Sequence, residues 1–166
     1  MTPLHWSKWL VRENNLATKW IEGATICDPT AGRGAFAHAL IDIAYESDIE
    51  VTNEMLSRIF LIERESAFLK EFHNSFQLKY NRKFPAKNFV CADVVLENPH
   101  RKFDFLFGNP PWVNVNDLPH AYKERLKSVF IANGLIEENQ SLLLGCARVD
   151  FSELVLSVVI RENLEH

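Results

Sequence analysis

Cysteine is scarce: Cys27, Cys91 and Cys146 stand far apart, with no C-x-x-C spacing between any two. That leaves no disulfide framework and no structural zinc set, and it suits reduced core residues in a cytoplasmic protein. No apolar run is long enough to span a bilayer, and the first fifteen residues lack the uninterrupted apolar core of a signal peptide. No membrane partner is expected. A basic excess is also missing. The formal net charge of -4 argues against a broad nucleic-acid-binding surface, while leaving room for a cleft that takes one nucleotide. The sequence has no internal repeat and no low-complexity segment, and its histidines are scattered without metal-ligand spacing. No metal site is expected.

What is present is a chain of 166 residues, 47% hydrophobic, which suits one domain with a sizeable core. Short apolar runs at 24–28, 58–63, 88–93 and 103–109 read as strands. Helical patterns alternate with them. One covers 35–45, with Phe36, Leu40, Ile41 and Ala44 on one side; another covers 66–76, with Phe68, Leu69, Phe72 and Phe76 in register. A helix at about 119–132 stops near Asn133-Gly134, and one at about 150–163 starts with Asp150 and Glu153 spaced like a capping box. Phe151, Leu154, Val155 and Val158 form its apolar stripe. Thr2-Pro3 opens the first helix, with Thr2 as N-cap and Pro3 at N1. Trp6, Trp9 and Leu10 form that helix's apolar face, and Trp6, Trp9 and Trp20 are assigned to the core. Residues 46–56 are a polar insertion with room for a short helix, and the basic run 79–83 reads as a solvated loop, with a phosphate contact as the alternative. Strands alternating with helices imply an α/β fold with a mainly parallel sheet. In such sheets ligands sit beyond the carboxyl ends of the strands.

Four strand ends therefore form one candidate site. The first is "DPTAGRGAF", where Gly32 and Gly34 allow a tight turn and a close backbone approach, and the following helix offers free amides. Asp28 beside that loop attracts a cationic amine or sulfonium and repels a phosphate, and the Lys-Ser/Thr pair of a P-loop is missing. A plain tight turn with an N-cap Asp is the alternative. At the second end, Glu63 can accept both hydroxyls of a ribose. It lies further from the loop than the usual gap of about 20 residues. The insertion explains the excess, and Glu65 is the competing register. At the third, Asp93 can accept from an adenine amino group. The fourth is "FDFLFGNPPWVN". Proline holds Asn109 extended, Pro110 and Pro111 donate no N–H, and the Asn109 side-chain oxygen and Pro110 carbonyl can converge on one –NH2 group. Trp112 offers a flat face for a planar ring.

Together these stretches resemble the S-adenosylmethionine-dependent amino-methyltransferases, most closely the DNA adenine-N6 methyltransferases of restriction-modification systems. "DPTAGRGAF" is similar to their cofactor motif D-P-x-x-G-x-G-x-F, and "GNPPWVN" to their catalytic motif [DNS]-P-P-[YFW]. Thr2-Pro3 resembles their N-terminal cofactor motif, and "ARVDFSELVLSVVI" (147–160) the helical motif after the catalytic one. The resemblance implies a Rossmann-like methyltransferase fold with S-adenosylmethionine as cofactor. It implies that Thr2, Asp28, Ala31, Gly32, Gly34, Phe36, Glu63 and Asp93 bind that cofactor, and that Asn109, Pro110, Pro111 and Trp112 act on a DNA adenine flipped out of the duplex. The order of the two motifs, with no room for a domain between them, resembles the gamma group, whose target-recognition region lies C-terminal and is not in this sequence. The departures are Thr30-Ala31 in place of the frequent Ala-Cys, and Arg33 between the glycines.

Residues 1–163 are thus expected to be a partial catalytic domain, cut short on its C-terminal side, and 164–166 resemble the start of a histidine tag. The implied sheet order is 3-2-1-4. The fourth strand's edge then needs cover, from the helix at 150–163 or from a second copy in a dimer. Ribosomal-RNA and release-factor glutamine methyltransferases share the N-P-P-aromatic logic and are the nearest alternatives. A non-catalytic methyltransferase-like binding module is the alternative of another class. A nicotinamide-dependent dehydrogenase is weaker, because Ala37 stands where the third glycine of G-x-G-x-x-G belongs.

Overall fold

A four-stranded, wholly parallel sheet in the order β3-β2-β1-β4 organises the computed structural model, which describes residues 2–137 and 150–165. The strands are β1 (Ile26–Asp28), β2 (Ile59–Glu63), β3 (Phe89–Cys91) and β4 (Phe105–Leu106). Cys27 pairs with Phe60 on one side and Leu106 on the other. The expected order and the parallel sense are both found. Successive strand side chains point to opposite faces. Ile26, Ile59 and Leu61 accordingly enter one core, while Cys27, Phe60 and Ile62 enter the other.

The first core is covered by α1 (Leu4–Glu13), α2 (Leu16–Ile21), α3 (Ala35–Glu46), α4 (Asn53–Ser57) and α5 (Ser66–Tyr80), through Val11, Trp20, Leu40, Leu56, Phe72 and Phe76. The second is covered by α6 (His120–Ala132) and α7 (Phe151–Asn163), through Leu126, Phe130, Leu154 and Val158. The result is the three-layer, Rossmann-like α/β fold that alternating strands and helices require. Among the described residues no helix is long and apolar enough to cross a membrane.

Most helix boundaries follow their local signals. Thr52 caps α4 by accepting from the Met55 amide at 3.1 Å, and Asp150 caps α7 by accepting from the Ser152 amide at 3.4 Å. Three expectations need correction. First, Pro3 rather than Thr2 stands at the N-cap of α1, with φ -63° and ψ 143°. Second, α1 buries Ser7 and Val11, while Trp6 and Trp9 are half exposed and meet edge to face at 5.7 Å; only Trp20 of the three is in the core. On the side of α1 that faces α3, Lys8 and Arg12 pair with Glu46. Third, the basic run 79–83 is an anchor rather than a solvated loop. Lys79 and Tyr80 both bind Asp42, at 2.7 and 2.8 Å, and Arg82 donates to the Val51 carbonyl and to Asn53. Cys146 and residues 147–149 of the helical-motif stretch lie outside the described residues.

The edge of β4 is partly covered by the end of α7. The Phe103 amide donates to the Asn163 carbonyl at 2.9 Å, the Glu165 amide donates to the Phe103 carbonyl at 3.0 Å, and Leu164 pairs in parallel with Phe103. Cover by the end of α7 is therefore found beside Phe103, just before β4, where Leu164 forms an isolated β-bridge outside the four strands.

Asn88, before β3, is fully buried, and its Nδ2 donates to the carbonyls of Ser57 and Ile59 at 2.7 and 2.9 Å. Asn88→Leu strips both carbonyls of their donor. Urea titration is expected to show a loss of about 2–4 kcal/mol: about 1–3 kcal/mol for each of the two carbonyls, less the relief of removing the buried Asn88 Oδ1, which has no partner among the described residues.

Candidate active site

The carboxyl ends of all four strands open onto the same side of the sheet. At the end of β1, Asp28 is 3% exposed, and its Oδ1 accepts from the Thr30 amide at 3.1 Å. Burial pushes its carboxyl up to about 7; the charge of Glu63 adds to this and the Thr30 amide opposes it. A buried acid so poised has most to gain from a cation placed beside it. The end of β4 packs on Asp28 so closely that a Cβ on Gly108 would lie 2.5 Å from Oδ1.

The loop after β1 is tied to the end of β2. Glu63 Oε2 accepts from the Gly32 amide at 2.8 Å, and Oε1 accepts from the Glu65 amide at the same distance. Each oxygen keeps a lone pair for a further donor. Of the two registers, Glu63 is the acid that reaches the glycine loop, while Glu65 is the N-cap residue of α5. Beyond β3, Asp93 Oδ1 accepts from the amides of Val95 and Leu96, and Oδ2 accepts from the Tyr122 hydroxyl at 2.6 Å. Burial and this bond push the Tyr122 phenol well above its ordinary range, so it stays a donor.

Beyond β4, the Asn109 amide is oriented by its partners. The Trp112 indole Nε1–H can only donate, so the atom facing it at 2.9 Å is the amide oxygen. Asn109 Nδ2 then donates to Thr2 Oγ1 at 3.1 Å, and the Thr30 hydroxyl donates to the Asn109 backbone carbonyl at 3.2 Å. Thr2, displaced from its expected capping role, thus joins the chain's start to the N-P-P-W loop. Trp112 is 73% exposed, so its ring is open to a stacking partner.

Two cavities meet here. One, of about 260 Å³, is lined by Thr2, Asp28, Ala31, Gly32, Phe36 and Trp112, among others. The other, of about 280 Å³, is lined by Glu63, Phe68, Asp93, Val113, Tyr122 and Phe151, among others. Thr30, Asn109 and Pro111 line both, and Pro110 lines the first. Joined, they reach the range of small-ligand sites, about 300–1,000 Å³. Every sequence-selected site residue lines one or both, except Gly34, which packs against Phe72 instead. Arg33 pairs with Glu71 and lies over the Phe68 ring at 4.8 Å, which places a guanidinium at the outer wall.

Sequence reasoning missed Tyr122, Arg64 and Thr30. No spacing marks Tyr122, because α6 reaches Asp93 only through tertiary packing. Chemically, the joined cleft offers a buried acid for a cation, a carboxylate with spare acceptor capacity for hydroxyls, a second carboxylate at an apolar wall, and an amide oxygen beside an exposed indole.

No family model matches the chain, and no curated protein matches it. Among solved structures, one determined as the cryoEM structure of a DrdV–DNA complex is similar, with a TM-score of 0.58 and 18% identity. The match covers 98% of this chain and 19% of that one, so the chain spans about a fifth of that neighbour's length. At that identity the likeness speaks to the fold, and the fold the two share is the α/β one described above.

Proposed function

We propose that this chain is the catalytic core of a methyltransferase that moves a methyl group from S-adenosylmethionine to the N6 amine of adenine in DNA. One observation carries the reading: Asp28, Glu63, Asp93 and Asn109, at four separate strand ends, line two joined cavities. The choice of DNA as acceptor rests on the resemblance of the two motifs, and the neighbour solved in complex with DNA supports it.

The residues fit the cofactor. The nearly sealed Asp28 carboxylate suits a cationic amino or sulfonium group, the spare acceptor positions of Glu63 suit ribose hydroxyls, and Asp93 beside the apolar Val113 and Phe151 suits an aminopurine. When bound, the cofactor supplies an electrophilic methyl group on a positively charged sulfur. The Asn109 Oδ1 and the Pro110 carbonyl accept the N–H groups of the incoming amine and stabilise positive charge growing on its nitrogen. Trp112 Nε1–H occupies one lone pair of Oδ1 and leaves the other. No general base is required, because the amine becomes far more acidic as it turns cationic. Thr2 holds the far side of the Asn109 amide and so fixes its angle.

Transfer is tested with labelled S-adenosylmethionine and an oligonucleotide holding an unpaired adenine, which lowers the cost of base extrusion. Label is expected at adenine N6, and Asn109→Ala is expected to reduce it by about 100-fold or more, as for other lost charge-stabilising groups. Label appearing instead in ribosomal RNA or in a release-factor glutamine would move the chain to a neighbouring enzyme class. A partial catalytic domain can be inactive alone, so cofactor binding without transfer to any of the three would make it a binding module only where a longer parent chain carrying a target-recognition region also fails to transfer.

A further inference from the structure

Tyr122 lies in α6, outside the strand ends that define the site, yet it reaches into the cavity at the end of β3. Its hydroxyl holds Asp93 Oδ2 at 2.6 Å. The Arg64 guanidinium lies over its ring, 5.4 Å from the centroid, and Phe151 of α7 meets the ring edge to face at 6.0 Å. The other Asp93 oxygen is already bound by the amides of Val95 and Leu96, at 3.0 and 3.3 Å. Three donors therefore fix the plane of the carboxylate.

We propose that Tyr122 is a positioning residue that makes this cavity selective for a 6-aminopurine over a 6-oxopurine, an inference that rests on the cofactor reading above. With its hydroxyl hydrogen committed to Asp93 and its oxygen accepting from the Arg64 guanidinium, which also lines the cavity, Tyr122 has no donor left for a ligand, so the Asp93 side of the wall presents acceptor oxygens only. An exocyclic amine donates into that wall. An exocyclic carbonyl sets oxygen against oxygen with no hydrogen between them. Arg64 is the competing cation. Its guanidinium is held on the Tyr122 oxygen and also feels the charge of Asp93, and once the hydroxyl is gone it is the donor placed to take over Oδ2. That exchange would turn part of the wall from acceptor to donor and admit a carbonyl.

Calorimetric titration of the chain with S-adenosylhomocysteine and with S-inosylhomocysteine tests this. Wild type is expected to bind the amino form at least ~10-fold tighter, since a site built around a ligand N–H rejects the analogue that lacks it. In Tyr122→Phe, which keeps the ring, the preference is expected to fall to ~3-fold or less, and Tyr122→Phe/Arg64→Met is expected to regain most of it. If Tyr122→Phe weakens both ligands equally and keeps the ratio, Tyr122 is merely structural and the proposal is overturned, while the cofactor reading stands. Equal affinity of wild type for the two ligands also overturns the proposal alone. That wild-type ratio can overturn the proposal even where the variant does not fold. A wild type that binds neither ligand overturns the cofactor reading, and this inference with it.

Discussion

Asp28→Asn is expected to weaken S-adenosylmethionine binding by roughly 30-fold or more while making the fold more stable above neutral pH. The two effects share one cause. The Asp28 carboxyl titrates at about 7 in the folded chain, against an ordinary value of 3.8, chiefly because it is sealed from water. A folded-state pKa raised above the unfolded one means that the folded chain holds the proton more tightly. The benefit is whole below pH 4 and is lost as pH rises to 7. Roughly three pKa units at about 1.4 kcal/mol each put the cost of ionising Asp28 near 4 kcal/mol at pH 8, which bounds what the asparagine can recover. Thermal melts from pH 4 to pH 8 should therefore show wild type and variant diverging as pH rises, with the variant higher. Affinity should move the other way. Removing one partner of a buried charge pair costs about 2–5 kcal/mol, or roughly 30- to several-thousand-fold in Kd. In wild type, affinity should rise with pH through 7, and below that point binding should release a proton, visible as a binding enthalpy that depends on the buffer. An affinity unchanged by the substitution would remove Asp28 from the site.

Gly34→Ala is expected to destabilise the fold by about 2–5 kcal/mol, whereas Gly32→Ala in the same loop costs only about 1–2 kcal/mol. Both glycines have positive φ, 70° and 53°, so an alanine at either meets the left-handed penalty. They differ in what lies nearby. No atom is within 4 Å of a Cβ at Gly32, but a Cβ at Gly34 would fall 2.3 Å from the Phe72 ring. That ring is wholly buried and packed against His38, Phe76, Phe84 and Phe89, so it has nowhere to retreat. Urea unfolding of Gly34→Ala, Phe72→Leu and the double variant checks the cause. The double variant should lose less than the two single losses together, because the leucine removes the overlap. Strict additivity would mean that the clash is relieved some other way and that only the backbone conformation matters.

The two glycines also show how far a motif can be read. The G-x-G pattern announces a tight loop that a ligand can approach, and the loop is there. Its pattern does not show that Gly32 lends its amide to Glu63 and lines the cleft while Gly34 supports the core. The same limit applies to the tryptophans. Spacing put Trp6 and Trp9 on an apolar face of α1, but helical period alone does not say which face is buried, and in the fold Ser7 and Val11 are buried instead.

By itself the sequence determined the α/β alternation, the four strand ends and the residue types waiting at each of them. Periodicity, capping residues and the Gly and Pro breaks are local quantities, set by backbone sterics within a few residues. Only the tertiary structure decided which side chains are spent on distant partners: Thr2 on Asn109, Glu63 on the Gly32 amide, and Tyr122 on Asp93. It also decided that Leu164 forms an isolated β-bridge with Phe103, next to the start of β4. Such pairings join residues far apart in the chain. Their formation depends on the angle at which helices pack on a twisted sheet, and no local stretch of sequence contains that angle.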